Sequence, residues 1–204
     1  MDPALFPSAA AYVDALPGGL SAHPQCLVKG SVVRELIGTR FATELRGSLP
    51  PLLRDCFENP PVATSWIAEV HVHVLLHAVF DRFFAGPSGG EAPFLRWVLE
   101  SNRALFRTTL YRVLFFVVSP ERLFIGVDKR WGTFRRGSTL ETIIVAPGHA
   151  RLRIRHPAGL YSDLIAKVRA TSFRAAAECA GATNMQVVIE NRTPVETEFS
   201  LLWR

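Results

Sequence analysis

The chain has 204 residues, 49% of them hydrophobic and 20% charged, which gives ample material for a packed core and argues against a disordered chain. Its formal charge of +5 permits an anionic partner, but a charge of this size is common in proteins with no nucleic-acid role, and none is expected here. Three scattered cysteines, Cys26, Cys56 and Cys179, with no CxxC pair, give neither a disulfide framework nor a thiolate zinc site and suit a reducing cytoplasm.

Residues 1–26 are rich in Pro, Ala and Gly and read as a flexible lead-in, with a short helix near Ala9 to Leu16. Asp2 and the lack of a basic start argue against a secretory signal. From Ser31 the pattern turns helical: Val32, Val33, Leu36, Ile37, Phe41 and Leu45 recur at helical spacing. Gly47 is a stop, and Ser48 with Pro50 and Pro51 a new start for a short helix carrying Leu52, Leu53 and Phe57. Asn59-Pro60-Pro61 breaks the chain again, and Thr64 or Ser65 is placed to cap a long helix through Phe84. The stretch GPSGGEAP, residues 86–93, is a loop, and a second long helix is expected from Phe94 to Val118. Ser119-Pro120 reads as an N-cap with proline at the first helical position, opening a helix to about Trp131. The longest apolar stretches, LLHAVF and VLFFVV, fall far short of the roughly 20 residues that span a bilayer.

The last third changes period. TLETIIVA is β-rich, and Pro147-Gly148 occupies the central places of a type II turn. In ARLRIRH, Leu152 and Ile154 alternate with Arg151, Arg153 and Arg155, the pattern of a half-buried strand. Residues 160–180 form an amphipathic helix ended by Gly181, and NMQVVIE and VETEFSLLW are two strands joined through residues 191–194. The expected fold is α+β: an N-terminal helical half packed on a C-terminal ββαββ antiparallel sheet of about four strands, with residues 27–204 as one domain.

Three stretches carry candidate chemistry. In EVHVHVLLHAVFDRFF, residues 69–84, His73 and His77 have the i, i+4 spacing of helical metal ligands, and Glu69 and Asp81 extend it both ways. Each such step rotates by about 40°, so one ion cannot collect all four, and HExxH is absent. Because this helix is apolar on several sides, its histidines read first as hydrogen-bonded core or pocket residues and not as a metal site. DKRWGTFRRGS, residues 128–138, sets Arg130, Arg135 and Arg136 around Trp131, a mix that binds anions or planar groups, or else a helix-to-strand junction with solvated arginines. The arginines of residues 151–155 are expected to pair across strands with Glu141, Glu190, Glu196 and Glu198. No GxSxG or other nucleophile frame is present.

The helical half, the stretch ERLFIGVDKRWGTFRRGSTLETIIVAPGHARLRI and the terminal EFSLLW resemble a paralogous family from myxobacteria of unknown function, over about residues 27–204. The shared features are the VKGSV run at Val28 to Val32, Trp131 and Gly137 ahead of a hairpin, and a last strand ending at Trp203. More remotely, helices followed by ββαββ resemble the superfamily of haem-based nitric-oxide sensors, 4-vinyl-reductase domains and transport-complex subunits. That resemblance implies a ligand-binding or protein-docking domain, often dimeric. The last hairpin lacks the cysteines of the metal-binding 4-vinyl-reductase domains, and the YxSxR of the haem sensors is absent, so no cofactor is expected.

The resulting expectation is a non-enzymatic cytoplasmic module of bacterial signalling that binds a small hydrophobic or anionic ligand or docks a signalling partner, as a homodimer. His73, His77, Tyr111 and Phe115 would line its pocket, and Arg130, Trp131, Arg135 and Arg136 its rim or docking surface. The alternatives are a haem- or metal-dependent sensor using His73 or His77, and a small enzyme with a histidine general base.

Overall fold

The change of period after residue 138 becomes a change of architecture. The structure, a computed structural model, describes residues 1–86, 90–108 and 119–204. It contains two compact units: Met1–Phe94 with Arg135–Gly137, and Leu95–Phe134 with Ser138–Arg204.

The first unit is mainly helical. Helix α1 spans Pro7–Asp14, α2 Gly30–Ile37, α3 Arg40–Leu45, α4 Pro51–Glu58 and α5 Glu69–Phe83. From Glu69 to Val79, every residue of α5 except His71 is buried, as an all-round apolar sequence requires. Phe41, Phe80, Phe83, Phe84 and Phe94 form an aromatic cluster at its far end, with ring centroids 4.9–5.6 Å apart. Three short strands, β1 Leu27–Lys29, β2 Trp66–Ala68 and β3 Arg135–Arg136, pair antiparallel in the order β2-β1-β3.

That small sheet departs from the sequence expectation. Trp66–Ala68 reads as helix from its apolar residues, yet Val28 and Ile67 pair as strands, and α5 begins only at Glu69. A strand of three residues has no periodicity to detect. The run from Val32 to Leu45 is likewise two helices, not one, because Gly38 ends α2 and the Thr39 side chain accepts the Ala42 N–H to start α3. Residues 1–26, expected as a flexible lead-in, carry α1, with Phe6, Ala9, Ala10, Tyr12 and Leu16 buried.

The second unit holds the expected ββαββ order. Strand β4 spans Thr139–Ala146, β5 His149–Arg155, β6 Gln186–Thr193 and β7 Glu196–Leu202, arranged β4-β5-β7-β6, all antiparallel. Gly148, at φ +72, supplies the left-handed residue of the β4–β5 turn. Helix α6, Glu91–Arg107, leads into this unit; α7 covers Pro120–Phe124, α8 Val127–Phe134 and α9 Asp163–Cys179. The single helix expected from Pro120 to Trp131 is divided at Ile125-Gly126, where Gly126 has φ +70. The part of the expected helix between residues 109 and 118 lies outside the described residues.

One face of the four-stranded sheet is core: Leu140, Ala150, Leu152, Ile154, Thr197, Phe199 and Leu201 are buried. The other carries the arginine ladder. Arg153 meets Glu198 at 2.5 Å and Glu141 at 2.9 Å, and Arg151 meets Glu190 at 2.8 Å. These are the cross-strand partners that the alternation called for. Ser162 caps α9 by accepting the Ile165 N–H, and Gly181 follows its end at φ +98.

Candidate functional site

The i, i+4 series on α5 is fully used, residue by residue. Glu69 is completely buried and receives the guanidinium of Arg135 from β3. His73, also completely buried, has Nε2 at 3.4 Å from the Glu69 carboxylate and Nδ1 at 3.0 Å from the Tyr12 hydroxyl. A carboxylate only accepts, so Nε2 faces it as the donor side of the ring, and Nδ1 shares a hydrogen bond with the Tyr12 hydroxyl. His77, 4% exposed, has Nδ1 at 3.1 Å from the Ser8 hydroxyl, and its ring stacks on Tyr12 at 5.0 Å. Asp81 accepts the Ala9 N–H at 2.9 Å, taking up a first-turn amide of α1 that has no partner within its own helix.

The winding of the series explains this division of labour. Three steps of about 40° carry the row part-way round the helix. Its first member therefore reaches β3, while the other three follow α1 along Tyr12, Ser8 and Ala9. The arrangement is a polar zipper that seats α1 on α5, flanked by the buried Phe6, Ala9, Ala10 and Leu16. Burial pulls the His77 imidazole down to about 4, with Asp81 opposing, so it is neutral at ordinary pH. Beside Glu69, burial together with that carboxylate pushes the Cys26 thiol up to about 11, which makes it an unreactive thiol.

The other histidines are also engaged. His71 bonds the Leu20 backbone, and burial lowers its pKa. His149 Nε2 lies 3.3 Å from the Ser200 hydroxyl. His156 has Nδ1 at 3.0 Å from the Pro157 carbonyl and Nε2 at 3.3 Å from the Thr197 hydroxyl. Among the described residues no group of three or more His, Cys, Asp or Glu is placed to hold a metal ion.

The residues expected to form a rim have separate tasks. Arg135 is buried at 9% exposure and is the counter-ion of Glu69, so it belongs to the interior. Arg136 is exposed and lies 4.0 Å over the Trp66 ring, which Lys29 also approaches at 4.0 Å. In the second unit, Arg130 donates to the carbonyls of Leu123 and Ile125 at the end of α7, and the Trp131 indole N–H donates to Ser138. Arg130 fastens the α7–α8 junction, and Trp131 ties α8 to the residue that precedes β4. Tyr111 and Phe115 lie outside the described residues. Sequence reasoning missed Ser8 and Tyr12 as partners of the histidines; the signal was the continuation of the spacing to Glu69 and Asp81.

No family model matches the chain, and no curated protein matches it. Solved structures do. The Fe(II) unliganded H-NOX protein from K. algicida is 11% identical, with a TM-score of 0.56 over 86% of this chain and 96% of that one. An oxygen-binding H-NOX domain related to soluble guanylate cyclases is 9% identical, with a TM-score of 0.56 over 86% of this chain and 92% of that one. A variant of Tt H-NOX is 10% identical, with a TM-score of 0.53 over 86% of this chain and 95% of that one. At these identities the likeness is one of fold. It bears out the remoter resemblance, to haem-based nitric-oxide sensors, at that level; the myxobacterial family finds no support in it.

Proposed function

We propose that the chain is a ligand-sensing domain of H-NOX-like fold, an input module of signalling and not a catalyst. The observation that carries this reading is the likeness over 86% of the chain to domains described as binding oxygen or as holding Fe(II). It favours a sensor over a pure docking module. No described helix is long and apolar enough to cross a membrane.

Haem is the first ligand to weigh for this fold, and the histidines of α5 supply the test of fit. An axial histidine presents one ring nitrogen to iron and keeps the other on a protein acceptor. His73 has both nitrogens engaged, by Tyr12 and Glu69, and no exposed surface. His77 is neutral, as a ligand must be, but it lies 4% exposed under α1 with Tyr12 stacked on its ring. A porphyrin reaches neither without displacing α1. In this arrangement the two residues do not fit haem ligation, and they serve the α1–α5 zipper instead. The haem-dependent sensor using His73 or His77 is the second reading, favoured by the fold neighbours; with either histidine as ligand it requires α1 to leave its seat.

Native mass spectrometry of untagged protein tests the sensor reading itself. A retained organic mass, haem included, or a mass gained from a metabolite extract is the expected result. Protein that gains no mass from extract or hemin while remaining folded would overturn it.

A further inference from the structure

The small sheet of the first unit has two unlike faces. Its register sets Leu27 against Ala68 and Arg136, and Lys29 against Trp66, so these residues share one face. Val28, Ile67 and Arg135 take the other, where Val28 and Arg135 are buried. Arg135 pairs there with Glu69, whereas Arg136, the next residue, is exposed on the outer face.

That outer face gathers donors. Lys29 Nζ and the Arg136 guanidinium each lie 4.0 Å from the centre of the Trp66 ring, Arg136 reaching it across β1 from the far strand. Lys29 donates to the Thr64 carbonyl at 3.0 Å, and among the described residues neither cation makes an ion pair. The Trp66 indole N–H also has no protein acceptor among them. Two like charges on one ring repel each other, and a bound carboxylate relieves that repulsion. Because the ring already carries the two cations, the face selects for negative charge and not for stacking. Strand β2 is also an edge of its sheet. The Gly30 N–H donates to the Ser65 carbonyl and the Glu69 N–H to the Cys26 carbonyl, which marks the hydrogen-bonded pairs of this ladder. Bonded and non-bonded pairs alternate between antiparallel strands, so Lys29 and Trp66 are a non-bonded pair and the Trp66 N–H and C=O point away from β1.

From this we infer that the outer face of the small sheet docks an extended acidic segment of a partner protein. Lys29, Arg136 and the Trp66 indole N–H receive its carboxylates, and the outward N–H and C=O of Trp66 pair with its backbone, as in strand addition. An anionic membrane calls for a larger basic cluster, of roughly 4–8 Lys or Arg. A free phosphate makes no use of the strand edge. The inference goes beyond the sensor reading and involves neither haem nor the histidines of α5.

The probe is a short fluorescein-labelled peptide of alternating Glu and Thr, titrated with the full chain and followed by fluorescence anisotropy, with far-UV circular dichroism as the folding control. Binding with a Kd on the order of 0.1–1 mM is expected, weakening as salt rises. The same peptide with Gln for Glu is expected to bind about 10-fold more weakly. Lys29→Gln with Arg136→Gln is expected to weaken the Glu peptide by about 10-fold in a folded protein, and Arg136→Gln alone, at an exposed position, by about 3-fold. No anisotropy change at millimolar protein would overturn the proposal, as would equal affinity for the Glu and Gln peptides, or folded variants that bind like the wild type. Inorganic phosphate that displaces the peptide at equal concentration would make the face a small-anion site instead. Sedimentation with vesicles of phosphatidylcholine and phosphatidylserine, without peptide binding, would make it a membrane contact. Because no arm involves haem or a metabolite extract, failure here and failure of the sensor reading are separate results.

Discussion

Seated under α1, His77 is a neutral imidazole whose pKa lies near 4 in the folded chain and near 6.5 when it is free in water. Below pH 6.5 the unfolded chain therefore binds a proton that the folded chain refuses. Stability is full above that pH and falls as the pH drops toward 4, by about 3 kcal/mol in total from this group. Urea unfolding between pH 7.5 and 4 should show that loss, and His77→Gln should flatten it. A profile identical in both proteins would mean that His77 is not the group that titrates. Arg135 makes a second test. Arg135→Ala strands the buried Glu69 carboxylate and is expected to cost roughly 3–5 kcal/mol, whereas joint replacement by Arg135→Met and Glu69→Gln, which keeps an acceptor beside His73, should cost less. Chemical denaturation of the three proteins separates a counter-ion from a rim arginine, because a solvated rim residue would cost almost nothing when removed.

Between elements, what was legible in the sequence depended on length. Strand β5 declares itself through seven alternating residues, and its glutamate partners on β4 and β7 follow from the same alternation. Strands β1, β2 and β3 have three, three and two residues and show no period, so the small sheet was invisible. Its closeness is enforced at Gly137, whose φ of +75 suits glycine and where an added Cβ would lie 2.6 Å from the Gln25 carbonyl and 2.7 Å from Cys26 Sγ. Gly137→Ala is expected to destabilise by roughly 1–3 kcal/mol. Gly47→Ala, where a Cβ would meet nothing within 4 Å, is expected to be neutral or slightly stabilising. Paired thermal melts of the two variants check this, and equal effects would contradict the packing of β3 against the Gln25–Cys26 backbone.

At the scale of the whole chain, the α+β class and the ββαββ order were legible because periodicity changes from helical to alternating and persists. The use of the candidate site was not. The spacing of Glu69, His73, His77 and Asp81 is the same whether four side chains face a metal or four separate partners, and all four of those partners lie some 60 or more residues away in sequence. Only the fold brings Tyr12, Ser8 and the Ala9 amide to them. The fold is also what makes the histidines worth testing, since chains of similar fold are described as oxygen-binding or Fe(II)-bearing while here the imidazoles hold a helix. The direct measurement is a hemin titration of the wild-type chain and of His73→Ala and His77→Ala, followed by absorbance in the Soret region with circular dichroism alongside. The expected result is that neither substitution changes the haem spectrum or its midpoint, while both lower the melting temperature. A one-to-one haem complex whose Soret band is lost in a folded His77→Ala or His73→Ala protein would contradict the zipper and make that histidine the iron ligand.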